Sequence, residues 1–168
     1  MPCRATPLAV ALLTAACSPT AQLDAKAAPI FMQLDPPMRA RIIESIGVDG
    51  VSMLERSEAF RVRLFELQAG APPAKTSGGG PVRDVEVNDA ASVARVVGFF
   101  YDVAGSELPP CKCDPVLSYL VESQTVPAEA RVLGDPVSVR VGERQLRRRI
   151  AGKPGATLAE ILEDVRTP

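Results

Sequence analysis

Apolar residues recur along most of this chain at helical spacing. Met38, Ile42 and Ile46 stand four apart behind Asp35-Pro36-Pro37. An N-cap aspartate followed by prolines of fixed φ suits a first turn, so the pattern predicts a helix over 36–46 that stops at Gly47. After a turn at Asp49-Gly50, Ser52 and Glu55 form a capping-box pattern. Met53, Phe60, Leu64 and Leu67 then share a stripe that excludes Glu55, Arg63 and Glu66, which predicts a second helix to Ala69 with a core-facing side. Asn88 is the expected N-cap of a third helix, from Asp89 to about Ala104. There Val93, Val96, Val97, Phe100 and Ala104 spread over a wide face opposite Arg95 and Asp102, so this helix is expected to be the most buried.

Asp114-Pro115 repeats the cap-plus-proline pattern, and Val116, Leu117, Leu120 and Val121 predict a short helix ended by Val126-Pro127. The period changes to two at 137–150. Val137, Val139 and Val141 alternate with Ser138 and Arg140, Gly142-Glu143 can turn the chain, and Gln145 to Ile150 returns as the second arm of a β-hairpin. Thr157 and Glu160 form another capping box, with Leu158, Ile161, Leu162 and Val165 as the stripe of a last helix. The expected fold class is mainly α: a small helical domain with one β-hairpin near the C-terminus, with α+β the second choice.

Two stretches lie outside this pattern. Residues 71–81, APPAKTSGGGP, join paired prolines to three glycines and predict a flexible linker. No Lys-Ser/Thr follows the glycines and no clear strand precedes them, so the spacing of a phosphate loop is missing. At the N-terminus Arg4 precedes an uncharged apolar run from Leu8 to Ala16, in the order of an export signal. The run is about half of the roughly 20 residues that a membrane span needs. It ends in Leu13-Thr14-Ala15-Ala16-Cys17, which resembles the lipobox of bacterial lipoproteins, with Thr14 where that motif favours an apolar residue. The resemblance implies cleavage before Cys17 and a covalent lipid on its thiol, and more than one acyl chain makes anchoring stable. Residues 1–16 are then the signal peptide, 17–29 a lipidated tether and 30–168 one globular domain carrying the 71–81 linker. Ser18, in place of the Asp that resembles an inner-membrane retention signal, favours the outer membrane where the host has one.

Composition narrows the chemistry. Histidine is absent, which removes the commonest general base and metal ligand together with the Ser-His-Asp and Cys-His arrangements. With five Phe, two Tyr and no Trp the core must be largely aliphatic. Lys and Arg number 19 against 20 acidic residues, a balance with no bias towards nucleic acid. Lone carboxylates such as Asp35 and Asp102 reveal no catalytic pairing.

The chemical feature that remains is Pro109-Pro110-Cys111-Lys112-Cys113-Asp114-Pro115. An even cysteine pair in an oxidising compartment points to a disulfide. Neighbours one residue apart close so short a loop that the bond staples little. The alternatives are an inert turn, pairing with another protein, thiol-disulfide exchange favoured by Lys112 and opposed by Asp114, or Cu(I) binding helped by Met32, Met38 or Met53. Arg140, Arg144, Arg147, Arg148 and Arg149 gather on the hairpin. They could meet anionic headgroups or an acidic partner, or serve as solvated charges that keep an edge strand from aggregating.

The function expected is a non-enzymatic binding or assembly module of the bacterial envelope. It would be extracytoplasmic, anchored through lipid on Cys17, joined to an envelope protein partner, and free of nucleic acid, metal and other cofactors. The alternative is a thiol redox or Cu(I)-handling protein working through Cys111 and Cys113.

Overall fold

A computed structural model describes residues 29–65, 81–109, 117–134, 136–152 and 154–164. The expected signal, tether and 71–81 linker lie outside these residues, apart from Pro29 and Pro81, as do Cys17, Cys111 and Cys113. The described elements are α1 (Ile30–Gln33), α2 (Pro36–Glu55), β1 (Phe60–Leu64), β2 (Arg83–Val87), α3 (Ala90–Gly105), β3 (Tyr119–Ser123), β4 (Ala128–Val132), β5 (Pro136–Val141), β6 (Arg144–Arg149) and α4 (Pro154–Asp164). The strands form one antiparallel sheet in the order β2-β1-β3-β4-β5-β6.

This overturns the expectation of a mainly helical domain with one hairpin: the fold is a sheet-rich α+β. The second expected helix is the tail of α2 followed by strand β1. Phe60 and Leu64 stand four apart, a spacing that satisfies both a helical turn and two strand repeats. Here Phe60 and Val62 are buried while Arg61 and Arg63 point the other way. The expected helix after Asp114-Pro115 is β3 over its described part, with Val121 fully buried. Strands β2 and β4 were not anticipated. Both alternate, Val85 and Val87 with Asp84 and Glu86, and Ala128, Ala130 and Val132 with Glu129 and Arg131. The β5–β6 hairpin stands where alternation places it, with a two-residue turn in which Gly142 takes φ 58.

Helix ends show how local chemistry and tertiary context divide the work. Asp35 caps α2, its Oδ1 accepting from Met38 N at 2.7 Å. The first segment of α2 ends where expected, because Gly47 breaks the helix with φ 74 and ψ 169, a region open essentially to glycine alone. A second segment then runs on through Asp49-Gly50 to Glu55. The α3 cap is Asp89 rather than Asn88; Asp89 Oδ1 accepts from Ser92 N at 2.8 Å, and these amide and hydroxyl bonds hold its carboxyl below the usual range. Neither capping box forms. Ser52 lies in the last turn of α2, and Thr157 lies inside α4, which begins three residues earlier.

All the larger helices pack on one face of the sheet. Helices α2 and α3 cross the β5–β6 end, and α4 lies beside α3, where Arg83 of β2 donates to Leu162 O at 2.8 Å. The core between the layers joins Phe60, Val62 and Val139 to Ile42, Leu54, Phe100 and Ile161, each fully buried. Helix α3 has more buried residues than any other helix and contributes Phe99, Phe100 and Tyr101 to the interior.

Candidate functional site

Because successive side chains of a strand point to opposite faces, the register sorts the sheet's outer face, the one opposite the helices. Running from β2 to β6, it carries Asp84 and Glu86, then Arg61 and Arg63, Leu120 and Glu122, Glu129 and Arg131, Pro136, Ser138 and Arg140, and Gln145, Arg147 and Arg149. Nearly every position is charged or polar. Among the described residues no helix lies over this face, whose side chains, the buried Pro136 apart, range from half-buried to exposed.

Cross-strand pairs organise it. Arg61 binds Asp84 through two hydrogen bonds, Nε to Oδ1 at 2.7 Å and an Nη to Oδ2 at 2.5 Å, and its guanidinium holds the Asp84 carboxyl below the usual carboxylate range. Arg63 pairs with Glu122. Glu129 is shared, 2.6 Å from Arg131 Nε and 3.4 Å from an Arg140 Nη. Beside the first pair, Arg61, Asp84, Glu86 and Gln124 line a shallow open hollow.

The five hairpin arginines do not form one patch. Arg140, Arg147 and Arg149 share the outer face with Arg131, which the sequence reading passed over. Arg144 and Arg148 oppose Val141 and Val137 and so lie on the helix side. Arg144 donates to the carbonyls of Glu44 at 3.2 Å and Ser45 at 3.4 Å, a cation at the carbonyl end of the first α2 segment. The backbone of Arg149 is also engaged: its N–H donates to Leu108 O at 3.2 Å, and Ser106 Oγ donates to its carbonyl.

A second polar constellation sits where the described chain begins. Glu55, the last residue of α2, accepts from Phe31 N at 2.7 Å, Ile30 N at 3.2 Å and Tyr101 Oη at 2.9 Å. Phe31 meets the Tyr101 ring edge-on, with centroids 5.8 Å apart. Burial, reinforced by the hydrogen bond to Glu55, raises the Tyr101 hydroxyl well above the usual tyrosine range. The carboxylate thus clasps the opening turn of the domain to the ends of two long helices. Sequence reading placed Glu55 in a capping box; a carboxylate capping a segment 24 positions away leaves no local signature.

The other candidates are dispersed. Met32 and Met38 sulfurs accept from Arg39 and Arg41, each at 3.8 Å, and Met53 lies under the β5–β6 turn. Asp35 is occupied as a cap, and Asp102 lies on the exposed side of α3. Among the described residues no group of acidic and cysteine side chains could hold a metal ion, and no helix is long and apolar enough to cross a membrane. No family model matches the chain, and neither a curated protein nor a solved structure shows significant similarity to it.

Proposed function

We propose that this chain is a lipid-anchored, extracytoplasmic module that binds another protein of the bacterial envelope and performs no covalent chemistry. The observation that carries this reading is the outer sheet face: six strands backed by helices on one side, with the other side mostly polar and, among the described residues, uncovered by any helix. Its partner surface is the β2-β1-β3 part, where the Arg61–Asp84 pair and the hollow beside Gln124 offer a charged but nearly neutral surface to a protein with matching polar groups. The lipobox-like segment ending at Cys17 supplies the anchor.

The test combines two readouts on the full chain made in its native envelope. Intact mass of the membrane-extracted protein is expected to show acyl chains on a polypeptide that begins at Cys17. A photo-crosslinker at Gln124 is expected to trap a discrete partner that a crosslinker at Val48, exposed on the helix side, does not, and Arg61→Glu is expected to abolish that adduct. An unacylated chain, or equal adducts from Gln124 and Val48, would overturn the reading.

A further inference from the structure

Resting on the reading that the β2-β1-β3 face receives a protein, we propose that this partner contributes an extended segment with alternate basic residues, which joins the sheet as a seventh strand along β2. The register decides which backbone groups β2 leaves open. Phe65 N donates to Ser118 O and Gln124 N to Ala59 O, each at 2.9 Å, so the odd-numbered residues of β1 turn their backbone groups to β3. The even ones, Phe60, Val62 and Leu64, turn theirs to β2, where they meet Val87, Val85 and Arg83. Asp84 and Glu86 therefore direct their N–H and C=O groups to the edge of the sheet, and no described residue bonds to them there. The opposite edge is partly closed, because Leu108 O and Ser106 Oγ engage the backbone of Arg149 in β6.

An open edge takes an added strand through main-chain bonds, and its side chains decide which strand. On the outer face β2 carries Asp84 and Glu86, both exposed. Both Arg61 bonds go to Asp84, and Glu86 has no ion pair among the described residues. Arg63 pairs with Glu122, and Arg83, on the helix side, is bonded to α4, so neither offsets Glu86. Opposite charges directly across two strands stabilise the pairing and like charges weaken it. Two copies paired antiparallel through β2 would set Asp84 against Glu86, or one of these acids against its own counterpart. The same acids that keep copies apart thus select a basic segment. Between them Val85 faces the helix side, half-buried, so the matching strand alternates basic residues outward with an apolar residue inward. The hollow lined by Arg61, Asp84, Glu86 and Gln124 opens beside this edge, which brings Gln124 within reach of a strand seated there.

The test uses the full chain in isolated native envelopes, with a photo-crosslinker at Gln124 and its adduct as the readout. Glu86→Pro removes the outward N–H but none of the β1–β2 bonds, which come from Arg83, Val85 and Val87, and proline is tolerated where a strand's N–H faces solvent. It is expected to reduce the adduct about tenfold, with circular dichroism unchanged. Glu86→Lys, which keeps every backbone group, is expected to reduce it about fivefold. A peptide of alternating lysine and valine should compete with the adduct, and one of alternating glutamate and valine should not. Tandem mass spectrometry should place the crosslink in a partner segment with Lys or Arg at alternate positions. An undiminished adduct in either folded variant, or equal competition by the two peptides, would overturn the edge pairing and leave a protein docked on the face alone. A crosslinked peptide from this chain itself would overturn the basic partner in favour of paired copies. Absence of a Gln124 adduct when Glu86 is intact would instead overturn the reading on which the proposal rests.

Discussion

Tyr101 and Glu55 show how much one polar contact can organise in an otherwise aliphatic interior. A neutral phenol donating to a carboxylate is a stronger bond than one between neutral groups, and its loss costs about 1.5 kcal/mol. Tyr101→Phe is therefore expected to lower unfolding free energy by about that amount in urea titrations. Glu55→Ala should speed hydrogen exchange at Ile30 and Phe31 because both amides lose their acceptor. The pH dependence has a definite sign on each side. Tyr101 and Tyr119 are both raised, chiefly by burial. Their contribution is complete below the unfolded tyrosine value near 10 and is lost as pH climbs through the folded values. Asp84 and Asp89 are lowered by hydrogen bonds; their contribution is present above about pH 4 and disappears as pH falls through the folded values. Asp102 is raised by desolvation and opposes them, costing stability as pH rises through its folded value, so a stability profile should level off only above that value and hold to about pH 9. In Tyr119→Phe, tyrosinate absorbance from the buried Tyr101 should emerge together with unfolding rather than before it.

At the level of elements, Gly47 joins two helical segments in a conformation closed to other residues. A Cβ there would meet the Arg144 guanidinium only at 3.5 Å, an ordinary contact, so the penalty of Gly47→Ala is backbone strain of about 1–3 kcal/mol. Denaturant midpoints should show this loss, while Gly98→Ala, on α3 with open space around it, should be neutral or stabilising. The same scale explains what could be read from residues alone. Helices α3 and α4, the start of α2 and the β5–β6 hairpin were legible because their apolar residues fit one period only. Strand β1 was not, since Phe60 and Leu64 fit two periods, and the deciding evidence was the outward pair Arg61 and Arg63. Strands β2 and β4 were legible in principle: Val85 and Val87, or Ala128, Ala130 and Val132, alternate cleanly. Their brevity and small side chains left little apolar signal. The candidate face was legible only in part, because which arginines share it depends on register, and Arg131 joins Arg140 through Glu129 only once β4 and β5 are paired.

The molecule as a whole is one core between a sheet and a helical layer. Phe100 sits at its centre, fully buried and 5.8 Å from the Phe60 ring. Phe100→Ala is expected to cost about 3–5 kcal/mol, a large share of the 5–15 kcal/mol typical of a domain, and to bring all elements down in one transition seen equally by circular dichroism and tyrosine fluorescence. The bond between Arg144 and the Glu44 carbonyl crosses 100 positions of sequence, and the apolar side of α2 packs largely on α3, β5 and β6. A ribosome or a translocation pore delivers the chain in order, so α2 emerges early and finds much of its cover only when the closing hairpin follows. During that interval the helix must be shielded by something other than its own sheet. A chain stopped short of residue 136 would keep α2 and α3 but lose the β5–β6 part of the surface on which both pack, which makes early termination of this protein a source of sticky fragments rather than of a smaller working domain.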